Sequence, residues 1–178
     1  MPTADGIDPA TRYNATARAF HAAIAGLVIV NLALGLLHEP LENAVRLIPL
    51  HKSIGLTVLG LSVARLLWRL TWTTPAYEPA LRRFDLLVAK AVHVAFYVLL
   101  IALPLSGWIM SSAGARPLAW FGVAVPKFAV AKGSPLAEAA HEGHELLGYT
   151  MLALVALHVA AALRHHFVLR DGVLRRMW

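Results

Sequence analysis

The sequence contains no cysteine at all. That excludes disulfides, thiolate metal sites, iron–sulfur clusters and covalently attached c-type haem, so any metal must be held by nitrogen or oxygen. Charge is scarce as well: 15% of the 178 residues are charged, and acidic residues number 10 against 16 basic ones. There is no internal repeat, no Walker loop, no Gly-rich dinucleotide fingerprint and no nucleophile elbow, so soluble nucleotide or hydrolase chemistry has no support. A net charge of +6 would suggest nucleic acid as a partner for a soluble protein, but here it sits mostly in the loops, and no nucleic-acid partner is expected.

Apolar residues dominate instead, at 58% of the chain with a mean hydropathy of +0.63. Runs of about 20 apolar residues, enough to cross a hydrocarbon core roughly 30 Å thick, occur four times. They predict spans near 19–37, 50–70, 86–110 and 145–164, and an all-α fold: an integral membrane four-helix bundle forming one transmembrane unit over 1–178. The first eighteen residues are polar, and the first apolar run leads into a full span, so a retained N-terminus is expected.

With four spans both termini share a side. Arg12, Arg18, Arg65, Arg69, Arg82, Arg83, Lys90, Arg164, Arg170, Arg175 and Arg176 lie there, eleven of the sixteen basic residues. The other side has Arg46, Lys52, Arg116, Lys127 and Lys132 beside Glu39, Glu42, Glu138 and Glu142. The positive-inside rule therefore puts both termini in the cytoplasm. Trp68, Trp72, Trp108 and Trp120 fall near span ends, where amphipathic rings suit the interface. Pro75 and Pro79 mark the second linker as loop, and Pro117, Pro126 and Pro135 mark the third. The segment from Arg116 to Gly143 is too long for a minimal connection, and Pro126, Gly133 and Pro135 argue against one continuous helix there. It is expected to cover the outer end of the bundle. Pro104 and Gly107 interrupt the third span and predict a local bend or a close helix approach.

Nine histidines are many for so apolar a chain, and ionisable residues inside a membrane are functional by default because burying them unsatisfied is costly. Depth sorts four of them. His21 opens the first span and His158 nears the end of the fourth, both on the cytoplasmic side; His51 opens the second and His144 the fourth, both on the outer side. On the last helix, the fourteen steps from His144 to His158 return to within about 40° of the starting direction with a rise of about 21 Å. Two imidazoles on one face at two depths, each matched by a histidine from another helix, are what two bis-histidine haems in a bundle core require. A zinc or copper transporter fits less well, since no carboxylate or thiolate is expected beside either pair. His141 lies about 100° from His158 around the helix and should point elsewhere. Arg65, fourteen residues after His51, shares that residue's helix face at cytoplasmic depth and is placed to pair with a haem propionate. His93, two turns into the third span, has no unclaimed partner and reads as a propionate or quinone-site hydrogen-bonder, or as a core histidine.

The runs RLLWRL (65–70), AKAVHVAFYVLLIALPLSGWIMSSA (89–113), WFGVAVP (120–126), HELLGY (144–149) and LHVAAALRHHFVLRDGVLRRM (157–177) resemble the bacterial cytochrome b561 family over essentially the whole chain. The resemblance implies a multi-pass protein of the bacterial inner membrane holding two b-type haems, with axial ligands at His21, His51, His144 and His158. Where the family often has an aromatic residue after its first ligand, this chain has Ala22. The resemblance also implies superoxide oxidation on the outer side coupled to reduction of ubiquinone on the inner side. Lys52, Arg116, Lys127 and Lys132 would steer the small anion toward the outer haem. His165, seven residues beyond His158 on nearly the same face, would donate a hydrogen bond to a quinone carbonyl, whereas His166 is turned away toward the interface. The alternative is an electron-carrier or anchor subunit that passes quinol electrons to a periplasmic redox partner.

Overall fold

The computed structural model describes residues 12–41, 43–73, 75 and 83–177; Glu42, Pro79 and Arg82, used above in the loop readings, lie outside them. Four long helices follow one another: α1 (Ala15–Leu37), α2 (Ile48–Thr71), α3 (Arg83–Ala113) and α4 (Pro135–Leu163). All four are long and apolar enough to cross a membrane. Even the shortest, with 23 residues, is about 35 Å long at 1.5 Å per residue. The exterior is apolar on every helix, with Ile29, Leu67, Val94 and Leu157 all exposed. Such surface is stable only against lipid.

The helix ends have local causes. Asn14 caps α1, its side-chain oxygen accepting from the Ala17 N–H at 2.8 Å, a contact worth about 1 kcal/mol. Ser134 does the same for α4 through the Ala137 N–H, with Pro135 at the first turn, where its missing N–H costs nothing. This cap starts α4 ten residues before the apolar run that predicted it, in PLAEAAHEGH, where Glu138, His141, Glu142 and His144 interrupt the apolar residues. Pro104 lies inside α3, which continues through it.

Neighbouring helices run antiparallel: the end of α1 meets the start of α2 through Asn31 and His51, and the end of α3 meets the start of α4 through Leu103 and His144. Backbone packing is concentrated between α1 and α2, α2 and α3, and α3 and α4. Among the described residues α1 and α4 have little close backbone contact; side chains connect them, Ile24 and Val28 in one buried cluster with Met151 and His21 beside the His158 ring. A buried apolar layer of Ile24, Val28, Ile54, Val58, Leu99, Leu100 and Met151 sits at mid-height. Met151, 1% exposed, is seven residues from both His144 and His158, so the layer separates the two histidine levels.

The two ends differ. At the hairpin end, a two-stranded antiparallel ribbon, β1 (Ala119–Trp120) and β2 (Val123–Ala124), lies against the start of α2. The Trp120 indole donates to the Thr57 hydroxyl at 2.9 Å, and the Phe121 N–H donates to Ser53 Oγ at 3.1 Å. At the termini end, α4 passes into a π-helical turn, Arg164–Leu169. The chain then reverses at Arg170 (φ 53°) and returns so that the Tyr13 N–H donates to the Arg176 carbonyl.

Candidate functional site

Each histidine pair meets across the bundle. His51 and His144 have ring centroids 6.0 Å apart, and His21 and His158 are separated by 6.4 Å. An imidazole nitrogen lies about 1.1 Å from its ring centre and about 2 Å from a coordinated transition metal, so rings facing one another across a single metal have centroids roughly 6 Å apart. Both separations match. Because α4 is continuous from His144 to His158, the two levels are about 21 Å apart along the bundle.

At the hairpin end the ring orientations are set by backbone. His51 Nδ1–H donates to the Asn31 carbonyl at 3.0 Å, and His144 Nδ1–H donates to the Leu103 carbonyl at 3.0 Å, with Ser106 Oγ 3.1 Å away. A proton fixed on Nδ1 leaves the Nε2 lone pair for a metal, which is how outer partners select the tautomer of a ligating histidine. Space for the rings comes from glycine. A Cβ on Gly107 would lie 2.9 Å from His144 Cε1, and one on Gly35 would lie 3.1 Å from His51 Cε1. Between the rings is a cavity of about 460 Å³ lined by apolar side chains of all four helices, Leu118 before the ribbon among them, within the usual range for cofactor pockets. Donor set, tautomers, ring spacing and apolar walls all suit a haem held by two histidines.

Several expectations change at this level. His141 does not point away: it is helical, and it lines the rim of this cavity together with His38 and Lys52. Nor is the cavity free of carboxylates, since Glu39 and Glu145 also line it. Yet among the described residues no three His, Cys, Asp or Glu side chains converge on one point, so the donors here come in twos. Lys52 lies within electrostatic reach of Lys127 and Arg116, making a cationic group beside His51.

At the termini end His158 has two histidine neighbours. His93 is 6.3 Å away, as near as His21, and Phe96, one turn on along α3, packs edge-on against the same ring at 5.2 Å. The axial role of His21 is the one implied by the resemblance described above. Arg65 stacks over the Tyr97 ring at 5.9 Å and lies within electrostatic reach of both His21 and His93. In the π-helical turn that follows α4, His165 donates from Nδ1 to Asp171 Oδ2 at 2.6 Å. His166 instead packs against Phe167.

Sequence reading missed Asn31, Leu103, Ser106, Gly35 and Asp171. Asn31 and Leu103 both act through their backbone carbonyls, which leave no trace in sequence because every residue has one.

These features define an all-α membrane bundle whose core is furnished with facing imidazoles. Residues 12–178 match the prokaryotic cytochrome b561 family. The chain is 34% identical over 170 residues to cytochrome b561 homolog 2 of Escherichia coli K12, covering 93% of this chain and 90% of that protein. It is 35% identical over 129 residues to a probable superoxide oxidase CybB of Yersinia pestis, 72% of each chain, and 28% identical over 129 residues to cytochrome b561 homolog 1 of Escherichia coli K12, 71% of this chain and 72% of that one. The protein therefore belongs to the bacterial cytochrome b561 family of membrane electron-transfer proteins, which use b-type haem.

Proposed function

We propose that this protein is a superoxide oxidase of the bacterial inner membrane, taking electrons from superoxide at the hairpin end and delivering them to ubiquinone at the termini end. Two superoxide ions lose one electron each and leave as dioxygen; one ubiquinone gains both electrons and two protons to become ubiquinol. The observation that carries the reading is the pair of facing imidazoles at each of two depths on one continuous α4. The relative named a probable superoxide oxidase supports the choice of electron donor.

In this reading His51 with His144, and His21 with His158, hold one b-type haem each, and the haems supply one-electron carriers at two depths. Asn31 and Leu103 keep Nε2 of the hairpin-end histidines bare. Lys52, with Arg116 and Lys127 near it, raises the local concentration of a small anion at the mouth of the cavity. Arg65 offers its guanidinium to a propionate, and His93 offers a hydrogen bond beside His158. His165 presents its ring to a quinone carbonyl at the membrane surface. The basic excess at the termini end supports a cytoplasmic location for that end.

Stopped-flow mixing of the purified, haem-loaded protein with superoxide tests the reading. The haem bands should become reduced, and added ubiquinone should reoxidise them. Bands that stay oxidised with superoxide but are reduced by quinol would overturn it, in favour of a subunit that hands quinol electrons to a periplasmic redox partner.

A further inference from the structure

The contact between His165 and Asp171 is built by the backbone. In the π-helical turn the Arg170 N–H reaches back five residues to the His165 carbonyl, and the Asp171 N–H donates to the same oxygen at 3.2 Å. Arg170 takes a left-handed conformation at φ 53°, which a non-glycine residue adopts only where its surroundings enforce it. The reversal carries Asp171 back over the turn, so that its Oδ2 meets His165 Nδ1 at 2.6 Å. The other carboxylate oxygen, Oδ1, accepts from the Val173 N–H at 3.1 Å. The carboxylate is thus held at both oxygens, and the side chains of both residues are mostly covered, at 17% and 20% exposure.

Resting on the quinone-site reading of His165, we infer that Asp171 is a positioning residue for quinone reduction. It locks the His165 ring and its tautomer so that Nε2 is the atom that exchanges protons with the quinone. A carboxylate accepts only, so the Nδ1 proton stays where it is. The ring then alternates between protonation at both nitrogens and protonation at Nδ1 alone. In the first form Nε2–H donates to a quinone carbonyl oxygen and passes its proton as the electrons arrive; Nε2 afterwards takes a replacement proton from water at the membrane surface. The second proton of the two-electron reduction to quinol goes to the other quinone oxygen, from water at the membrane surface. Without the carboxylate, the neutral ring is free to carry its proton on Nε2 and to turn, and the transfer loses its fixed geometry.

Asp171→Asn tests this, because the amide keeps the shape and an oxygen for Val173 but can present an N–H to Nδ1. In haem-loaded protein, Asp171→Asn should keep the haem spectrum and its reduction by superoxide. Reoxidation by saturating short-chain ubiquinone should slow at least roughly tenfold, with KM changed far less, and Asp171→Glu should recover part of the rate. Adding Asp171→Asn to His165→Leu should cost nothing further. In ¹⁵N-histidine-labelled protein, the His165 signal, identified by its loss in His165→Leu, should report Nδ1–H in the parent and Nε2–H in Asp171→Asn. Normal reoxidation in Asp171→Asn alongside a slow His165→Leu, or an unchanged His165 tautomer, would overturn the role of Asp171 while leaving the quinone site in place. Normal reoxidation in both would overturn the quinone site itself.

Discussion

At the scale of single residues, the fixed Nδ1 is what prepares the two hairpin-end histidines to hold a metal through Nε2. In His51 and His144 it is tied to a backbone carbonyl; in His165 it is tied to a carboxylate. His144→Ala should remove the hairpin-end haem first and His21→Ala the termini-end haem, whereas His93→Ala should keep both. Pyridine haemochrome content and low-temperature difference spectra of the three variants check this, and loss of a haem in His93→Ala with retention in His21→Ala would move the axial role to His93. Lys52 acts at longer range. Lys52→Glu should slow haem reduction by superoxide by roughly three- to tenfold at low salt and by less at 0.5 M salt, because screening removes a steering effect first. Equal slowing at both salt concentrations in stopped-flow traces would show that Lys52 acts by contact instead. Which histidines would face one another was legible from helical arithmetic at this scale. The closeness of His93 to His158 and the acceptance of His165 by Asp171 were not, since both depend on how helices or turns are set against each other.

Helices are where the sequence misled in one instructive way. Hydropathy marks the part of α4 that lies in lipid, and so places its start near residue 145; the helix begins at Pro135, because Ser134 caps it, Pro135 suits the first turn, and the stretch that follows mixes alanines with Glu138, His141 and Glu142, which break up an apolar run without breaking a helix. The extra turns carry His141 to the cavity rim. In α3 Gly107 places a bare patch of backbone under the His144 ring, where a Cβ would come within 2.9 Å. Gly107→Val should therefore push the imidazole off its Leu103 hydrogen bond and lower haem occupancy at the hairpin end. Loss of such an outer partner costs a metal site about 10- to 100-fold in affinity. Haem titration of the apoprotein measures it, and unchanged affinity would mean that α3 and α4 part without disturbing the ring.

For the whole molecule the expected stoichiometry is two haems per chain, from one imidazole pair at each level; a reproducible value near one in fully loaded protein would leave a pair without its haem. Orientation is open to an equally direct test: alkaline phosphatase fused after Lys132 should be active outside the cytoplasm, and fused at the C-terminus it should be inactive. The opposite pattern would reverse both the topology and the direction assigned to electron flow. The sequence alone determined the membrane class, the number of spans and the two histidine levels, because apolar run length and the 1.5 Å rise of a helix are local quantities that need no knowledge of neighbours. Only the tertiary structure decided which backbone carbonyls take the Nδ1 protons, which glycines make room for the rings, and that Asp171 turns back onto His165. These are relations between separate segments brought together by packing, and a backbone carbonyl or an absent Cβ looks the same in sequence wherever the fold places it.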